Sequence, residues 1–236
     1  FVIVVTMILQ SITFSALAKV LKVGEADSNG FLFIGANAVA RQLAKAFASK
    51  GVKVVLTDTS WENIRAARME NLTVYYGNPV SEHAENNLDL TGVGNMLAIS
   101  PYKQLNTLAT YHYLDLMEVG HVLGLPEGDQ EVRASHQSAE KYVRTRSQFD
   151  ESVTFAKLAS LLSKGATIKS TQLSAEFSFE NYLAQNAGRI TLLFAISPQG
   201  KAYAIGGPES ISPAETWEIV SVIQANATAY EAKKAV

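Results

Sequence analysis

The chain has 236 residues, of which 47% are hydrophobic and 18% charged, and it contains no cysteine. It is too long for a disulfide-stapled mini-protein and too mixed in composition for a disordered chain, so we expect one or two globular units. Without cysteine the chain can form no disulfide, no thiolate metal site and no cysteine nucleophile. The 20 basic and 22 acidic residues give a net charge of −2, which disfavours a strongly basic protein that binds nucleic acid.

The first segment is an uncharged apolar run. Residues 1–18 carry no charge, and the first charged residues are Lys19 and Lys22. Such a run has the length of a transmembrane helix, although its span of about 27 Å suggests that a first turn is missing. The chain begins at Phe1 rather than at Met, so we expect a fragment or a processed chain. A signal peptide would carry its basic residues before the run, and a core helix or strand of a soluble protein is the other alternative.

Three polar residues within this run, Thr6, Gln10 and Thr13, share one helical face. Polar side chains in a membrane span usually face other helices or a wet cavity. We therefore predict that residues 1–23 are the terminal helix of a truncated transmembrane bundle, in contact with the lipid bilayer. The lysines at its end place residues after about 23 on the cytoplasmic side, as part of a multi-pass protein of the inner (cell) membrane.

A βαβ pattern follows a polar linker at residues 24–30. Residues 31–34 form an apolar run that ends at Gly35, as in a central parallel strand. Residues 41–50 keep the apolar spacing of a helix, and Gly51 ends it. Residues 52–56 are predicted as the second strand, and Asp58 follows that strand.

Strand, glycine turn, helix, strand and acid is the order of a dinucleotide-binding unit. Asp58 follows Gly35 by 23 residues, near the spacing at which a carboxylate binds a ribose hydroxyl. The N-terminus of the helix can bind a phosphate. Asn37 and Ala40 occupy the second and third glycine positions, and an asparagine there crowds a pyrophosphate. A Rossmann-like unit that has lost its nucleotide is therefore an alternative.

The alternation of elements continues to residue 125. We predict helices at 61–69, 81–87 and 105–118, and strands at 73–77, 95–99 and 120–123. Strands that alternate with helices indicate an α/β fold with a doubly wound parallel, Rossmann-like sheet.

Residues 31–125 resemble the TrkA-N domain, also called the RCK (regulator of potassium conductance) domain. The segments that carry the resemblance are FIGAN at 33–37, VVLTDT at 54–59, YYGNP at 75–79 and LAISP at 97–101, followed by Asn106. In the family the third strand ends in Gly-Asp-Ala, where this chain has Gly77, Asn78 and Pro79. Ser100 matches the small hydroxyl residue that ends the fourth strand in the family.

This resemblance implies that the domain binds NAD(H) or an adenine nucleotide, gates a cation transporter or channel, and forms a homodimer. The phosphate turn would be lined by Gly35, Ala36, Asn37 and Val39, the ribose would contact Asp58, and the cleft would be bordered by Asn78 and Ser100. A regulatory domain of this kind is not an enzyme, so we expect no catalytic residue. The sequence contains no metal-binding motif either.

The leading segment carries a second resemblance. Residues 6–13 and Leu17 are similar to the final membrane helix of bacterial monovalent cation:proton antiporters, including sodium antiporters. The combination implies that the chain is the C-terminal part of such a transporter and gates the membrane bundle of its own full-length chain. One alternative is a soluble NAD-dependent Rossmann oxidoreductase, for which Tyr111 and His112 are the candidate catalytic residues. Another is an interaction module that binds no nucleotide.

The remainder of the chain is predicted as a linker at 126–150, a small α+β domain at 151–224 and a helical tail at 225–236. The α+β domain would contain helices at 153–163 and 177–185. Its strands would lie at 166–173, 190–196, 201–205 and 217–223, with a turn at 197–200 that is typical of a hairpin.

Overall fold

The computed structural model describes residues 28–126, 148–207 and 211–224, together with positions 3, 4, 6, 7, 10 and 13. The six isolated positions are helical, and Ile3, Val4 and Met7 among them are exposed. In the part of the chain that is described, no helix has the length and apolar character needed to cross a membrane. The predicted membrane helix at 1–23 lies mostly outside the described residues, as do most of the two predicted linkers and the whole tail.

The first unit is a five-stranded parallel sheet with the strand order β3-β2-β1-β4-β5. Its strands are Gly30–Ile34 (β1), Val54–Asp58 (β2), Thr73–Tyr76 (β3), Val93–Ala98 (β4) and Val122–Gly124 (β5). The helices that follow β1 to β4 are Ala38–Ala48 (α1), Trp61–Met69 (α2), Glu82–Asn87 (α3) and Lys103–Leu114 (α4). This architecture confirms the predicted doubly wound Rossmann-like sheet.

Three of these helices begin at a polar N-cap, which explains why they start where they do. The side chains of Asn37, Ser60 and Ser81 each accept a hydrogen bond from the backbone N–H three residues later.

Some boundaries of the predicted elements shift by a few residues in the structure. The second strand is Val54–Asp58 instead of the predicted 52–56, so that Asp58 is its last residue, and a 3₁₀ turn at Val119–His121 takes up the start of the predicted fifth strand.

The second unit is a four-stranded antiparallel sheet with the order β6-β9-β7-β8. Its strands are Thr167–Gln172 (β6), Ile190–Ile196 (β7), Ala202–Ala204 (β8) and Glu218–Ile223 (β9), and its helices are Phe155–Ser163 (α5) and Phe179–Gln185 (α6). The predicted hairpin turn joins β7 to β8, where the backbone N–H of Ser197 donates to the Lys201 carbonyl at 2.8 Å.

The two sheets share one hydrophobic core. The ring of Phe194 on β7 lies 5.8 Å from that of Phe31 on β1, 5.0 Å from that of Phe47 on α1 and 5.3 Å from that of Phe149. All four rings are buried. The second sheet therefore packs on the face of the parallel sheet that α1 and α2 also cover, while α4 packs on the opposite face.

Helix α1 contacts the second sheet through polar groups as well. The side-chain oxygen of Gln42 accepts a hydrogen bond from the backbone N–H of Ile168 on β6 at 3.4 Å. Beyond the end of the helix, the Lys50 ammonium lies 2.7 Å from the carboxylate of Glu218 on β9. Helix α1 is thus fixed between the two sheets along most of its length.

Replacement of Phe194 by alanine should destabilise both sheets together. Removal of a buried aromatic ring costs about 3–5 kcal/mol of unfolding free energy, and Phe194 contacts three other rings. We expect a single unfolding transition in urea, shifted by this amount in Phe194→Ala. Leu116→Ala, at a side chain that is 64% exposed, is the control and should change the free energy by less than about 0.5 kcal/mol. Two separate transitions, of which only one shifts, would contradict a common core.

Candidate functional site

The turn between β1 and α1 requires glycine at position 35. Gly35 has a φ of +123°, a backbone conformation that side chains with a Cβ rarely adopt. A Cβ at this position would lie 3.2 Å from the backbone N and Cα atoms of Ser100, which follows β4. The backbone N–H of Gly35 donates to the Thr57 carbonyl at 2.8 Å. The turn therefore lies between the ends of the adjacent strands β1 and β4, where the strand order reverses. This is the topological switch point at which open α/β sheets bind ligands.

The side chain of Asn37 lies across this turn and joins it to β4. Its oxygen accepts a hydrogen bond from the backbone N–H of Ala40 at 3.1 Å, and its nitrogen donates to the carbonyl of Ile99 at 2.8 Å. The same nitrogen lies 3.1 Å from the position that a Cβ on Gly35 would take. Asn37 therefore fills space that a glycine at this position would leave open.

Val39 does not line the turn with its side chain, which differs from the prediction. The side chain is 2% exposed and belongs to the hydrophobic core, because it lies on the apolar face of α1. Only the backbone N–H of Val39 lies at the site. The first N–H groups of an α-helix have no acceptor within the helix, and the positive end of the helix dipole attracts an anion there.

Asp58 lies beside the turn and is oriented by three hydrogen bonds. One carboxylate oxygen accepts from the backbone N–H of Ala36 and from the side-chain amide of Asn63, both at 2.9 Å. The other oxygen accepts from the backbone N–H of Ser60 at 2.8 Å. A carboxylate offers about four acceptor positions. These bonds leave about one of them for a ligand hydroxyl.

Ser100 is held in place by reciprocal hydrogen bonds with Asn106 on α4. The backbone N–H of Ser100 donates to the Asn106 side-chain oxygen at 3.1 Å, and the Asn106 nitrogen donates to the Ser100 carbonyl at 2.8 Å. The Ser100 hydroxyl accepts from the backbone N–H of Tyr102 at 3.2 Å and is buried. Ser100 therefore lies in a fixed position at the end of β4, beside the Gly35 turn.

Asn78 lies on the other side of Asp58, beyond the end of β3. It is exposed, and its side-chain oxygen accepts a hydrogen bond from the backbone N–H of Val80 at 3.2 Å in a local turn. The neighbouring carbonyl of Pro79 accepts a hydrogen bond from the Tyr113 hydroxyl at 3.1 Å. Burial raises the pKa of Tyr113 to about 12, so the hydroxyl keeps this proton at neutral pH. The predicted site residues are thus at one edge of the sheet, with Asn78 separated from Gly35 by the end of β2.

Sequence reasoning missed two residues that fix this site, Asn63 and Arg41. The guanidinium of Arg41 donates to the Ala36 carbonyl at 2.8 Å and pairs with the carboxylate of Glu70 at 3.1 Å. Partial burial opposes ionisation of Glu70, but hydrogen bonds and charges from Lys45 and Arg41 outweigh it and hold the pKa of this carboxyl below its ordinary value. No motif indicates these roles, although Arg41 lies one helical turn after Asn37.

The residues proposed for an oxidoreductase do not converge on this site. Tyr111 and His112 lie in the third turn of α4, about 12 Å along the helix axis from its start near Ser100. The His112 ring packs edge-on against Tyr113, with 5.0 Å between the ring centroids. Within residues 28–126, 148–207 and 211–224, no group of three or more His, Asp or Glu side chains could hold a metal ion.

Comparison with solved structures gives remote likenesses. The NAD(P)-binding domain of an exopolyphosphatase-related protein from Archaeoglobus fulgidus is 19% identical, with 50% of this chain and 84% of that chain covered and a TM-score of 0.39. The GsuK RCK domain is 16% identical over 90% of this chain, with a TM-score of 0.38, and the GsuK channel bound to NAD is 16% identical over 89%, with a TM-score of 0.39. The chain spans 47% and 39% of those two GsuK chains.

No curated protein matches the chain. The family model described as the TrkA-N domain matches residues 31–151, which is just over half of the 236 residues. The matched segment contains the parallel sheet apart from Gly30, the turn at Gly35 and the carboxylate of Asp58. The chain therefore belongs to the TrkA-N domain family.

Proposed function

We propose that this chain is the cytoplasmic regulatory region of a monovalent cation:proton antiporter and that its parallel sheet binds an adenine nucleotide such as NAD(H). The observation that carries the nucleotide proposal is the arrangement of the β1–α1 turn. Gly35 leads into the N-terminus of α1, and the Asp58 carboxylate is held 2.9 Å from the Ala36 N–H beside it. Membership of the TrkA-N family supports a regulatory role rather than a catalytic one.

The residues present fit the polar groups of a nucleotide. The free acceptor position of Asp58 suits one ribose hydroxyl, and the N–H groups of Ala38 and Val39 at the start of α1 suit a phosphate. The carbonyl of Ala36 is occupied by Arg41, so the turn keeps its shape without a ligand. A nucleotide would then bind a site whose polar groups already have fixed directions, which reduces the ordering cost of binding.

Helix α1 gives the proposed regulation a physical basis. Its N-terminus forms the nucleotide turn, while Gln42, Phe47 and the adjoining Lys50 contact the second sheet. A ligand that prefers one position of α1 would bias the position of the second sheet, because binding shifts an equilibrium by its difference in affinity for the two states. In the proposed protein this bias reaches the membrane bundle of the same full-length chain through the segment before β1, within a homodimer at the inner membrane.

Substitution of Asp58 tests nucleotide binding directly. Asp58→Ala removes a charged acceptor, and a hydrogen bond to a charged group is worth about 1.5–3 kcal/mol, so we expect NAD affinity to fall about 10- to 150-fold. The measurement is calorimetric titration of the 236-residue chain in detergent with NAD, NADH, ATP and AMP. Asp115→Asn, at an exposed carboxylate after α4, is the control. No heat with any nucleotide would favour a nucleotide-free interaction module, and stereospecific turnover of a carbonyl substrate would favour an oxidoreductase.

Substitution of Asn37 should have the opposite effect. Asn37→Gly removes the side chain that lies across the turn, while glycine at an N-cap costs only a few tenths of a kcal/mol relative to asparagine. We expect tighter binding of NAD, because without this side chain the pyrophosphate can approach the backbone N–H groups of α1 more closely. Weaker binding, measured in the same titration, would mean that the amide of Asn37 itself binds the ligand.

The antiporter part of the proposal is tested by the full-length gene. We expect the sequence upstream of Phe1 to encode about a dozen further hydrophobic spans, some with intramembrane Asp residues, because ion pathways place carboxylates within spans. An intact polypeptide that starts near Phe1 and purifies without detergent would contradict the transporter assignment and leave the nucleotide proposal standing.

A further inference from the structure

Two aromatic side chains beside Asp58 are exposed to solvent without a role in the core. Trp61, the first residue of α2, is 52% exposed, and Tyr76, the last residue of β3, is 51% exposed. Their ring centroids lie 5.5 Å apart with the planes at 75°. Large aromatic side chains on a surface are usually scattered singly, and a contiguous aromatic pair next to polar groups is typical of a binding surface.

The position of this pair relates it to the proposed nucleotide site. Asp58 and Tyr76 are register partners on the adjacent strands β2 and β3, which lie about 4.8 Å apart. Trp61 lies two residues before Asn63 on α2. The side-chain amide of Asn63 donates a hydrogen bond to the Asp58 carboxylate at 2.9 Å. The aromatic pair therefore lies on the side of Asp58 away from the Gly35 turn.

Three kinds of group thus follow one another along the edge of the sheet. The N-terminus of α1 follows β1, Asp58 ends β2, and Tyr76 ends β3, with Trp61 at the start of α2 in contact with it. A nucleotide carries phosphate, ribose and a planar base in the same order. The carboxylate in the middle would accept from the ribose, which leaves the base over the aromatic pair when the phosphate binds α1.

The surroundings hold the indole ring in place before a ligand binds. The guanidinium carbon of Arg68, two turns later on α2, lies 5.3 Å from the centroid of the Trp61 ring, within the range of a cation–π interaction. Ser60 caps the helix on which both residues lie. A pre-oriented ring loses little rotamer freedom when a base stacks on it.

We infer that Trp61 and Tyr76 form a stacking platform for the base of the bound nucleotide, an inference that rests on the proposed function of the same site. Every base has a π-face, so the platform selects for nucleotides over base-free sugar phosphates rather than for one base over another. Stacking on an aromatic side chain contributes an amount that corresponds to about 5- to 150-fold in affinity.

The experiment compares AMP with ribose 5-phosphate, which lacks the base, in calorimetric titrations of the 236-residue chain in detergent. We expect Trp61→Leu and Tyr76→Leu to weaken AMP binding about 5- to 150-fold and to leave ribose 5-phosphate binding unchanged. Trp61→Phe should retain most of the AMP affinity. Met69→Ala is the matched control, because Met69 is 77% exposed at the other end of the same helix.

Fluorescence gives a second readout that does not depend on removal of Trp61. The chain has two tryptophans, and Trp217 packs on Tyr203 in the second unit, so Trp217→Phe leaves Trp61 as the only indole. We expect AMP, and not ribose 5-phosphate, to quench Trp61 in this variant. The stacking inference would be wrong if AMP bound wild type and Trp61→Leu with equal affinity and did not quench Trp61 in Trp217→Phe. The proposed nucleotide site would be unaffected by that result. Absence of AMP and NAD binding to the wild-type chain would overturn both.

Discussion

The packing of Phe47 between two sheets is the constraint on which the rest of the structure depends. Phe47 on α1 contacts Phe31 and Phe33 of the parallel sheet and Phe194 of the antiparallel sheet. Because close-packed interiors resist small displacements, this cluster fixes the position of α1 along its axis. The N-terminus of α1, where the candidate site begins, is thereby fixed relative to β1, β2 and β4.

The polar groups of the site are satisfied by the protein itself, which explains its definite shape. Asp58 accepts from three donors, Asn37 bridges the turn to Ile99, and Arg41 holds the Ala36 carbonyl. Among the described residues, no buried side-chain nitrogen or oxygen lacks a hydrogen bond. A ligand must therefore compete with, or add to, bonds that already exist. For the proposed nucleotide, the side chain of Asn37 and the last acceptor position of Asp58 are the two features on which the fit would depend.

The position of the second unit distinguishes this chain from a free Rossmann domain. Its sheet covers part of the face on which α1 lies, and the Lys50–Glu218 ion pair and the Gln42–Ile168 hydrogen bond join the two units outside the aromatic cluster. Burial of a shared core ties the stability of one sheet to that of the other. Motion of α1 and motion of the second sheet are consequently not independent, as a regulatory domain requires.

The sequence by itself determined the elements that rest on local patterns. Three local features indicated the βαβ unit: the apolar run at 31–34, the glycine at 35 and the acid at 58. An apolar run indicates a buried strand, a glycine after it indicates a tight turn with positive φ, and an acid after the next strand indicates a polar strand end. Each of these features can be recognised from a few neighbouring residues. The tertiary structure alone decided that Asn63 and Arg41 fix the site. It also decided that Trp61 meets Tyr76 and that Phe194 meets Phe31 across more than 160 residues of chain. These contacts join different elements, and periodicity within one element carries no information about which side chains of another element will pack against it.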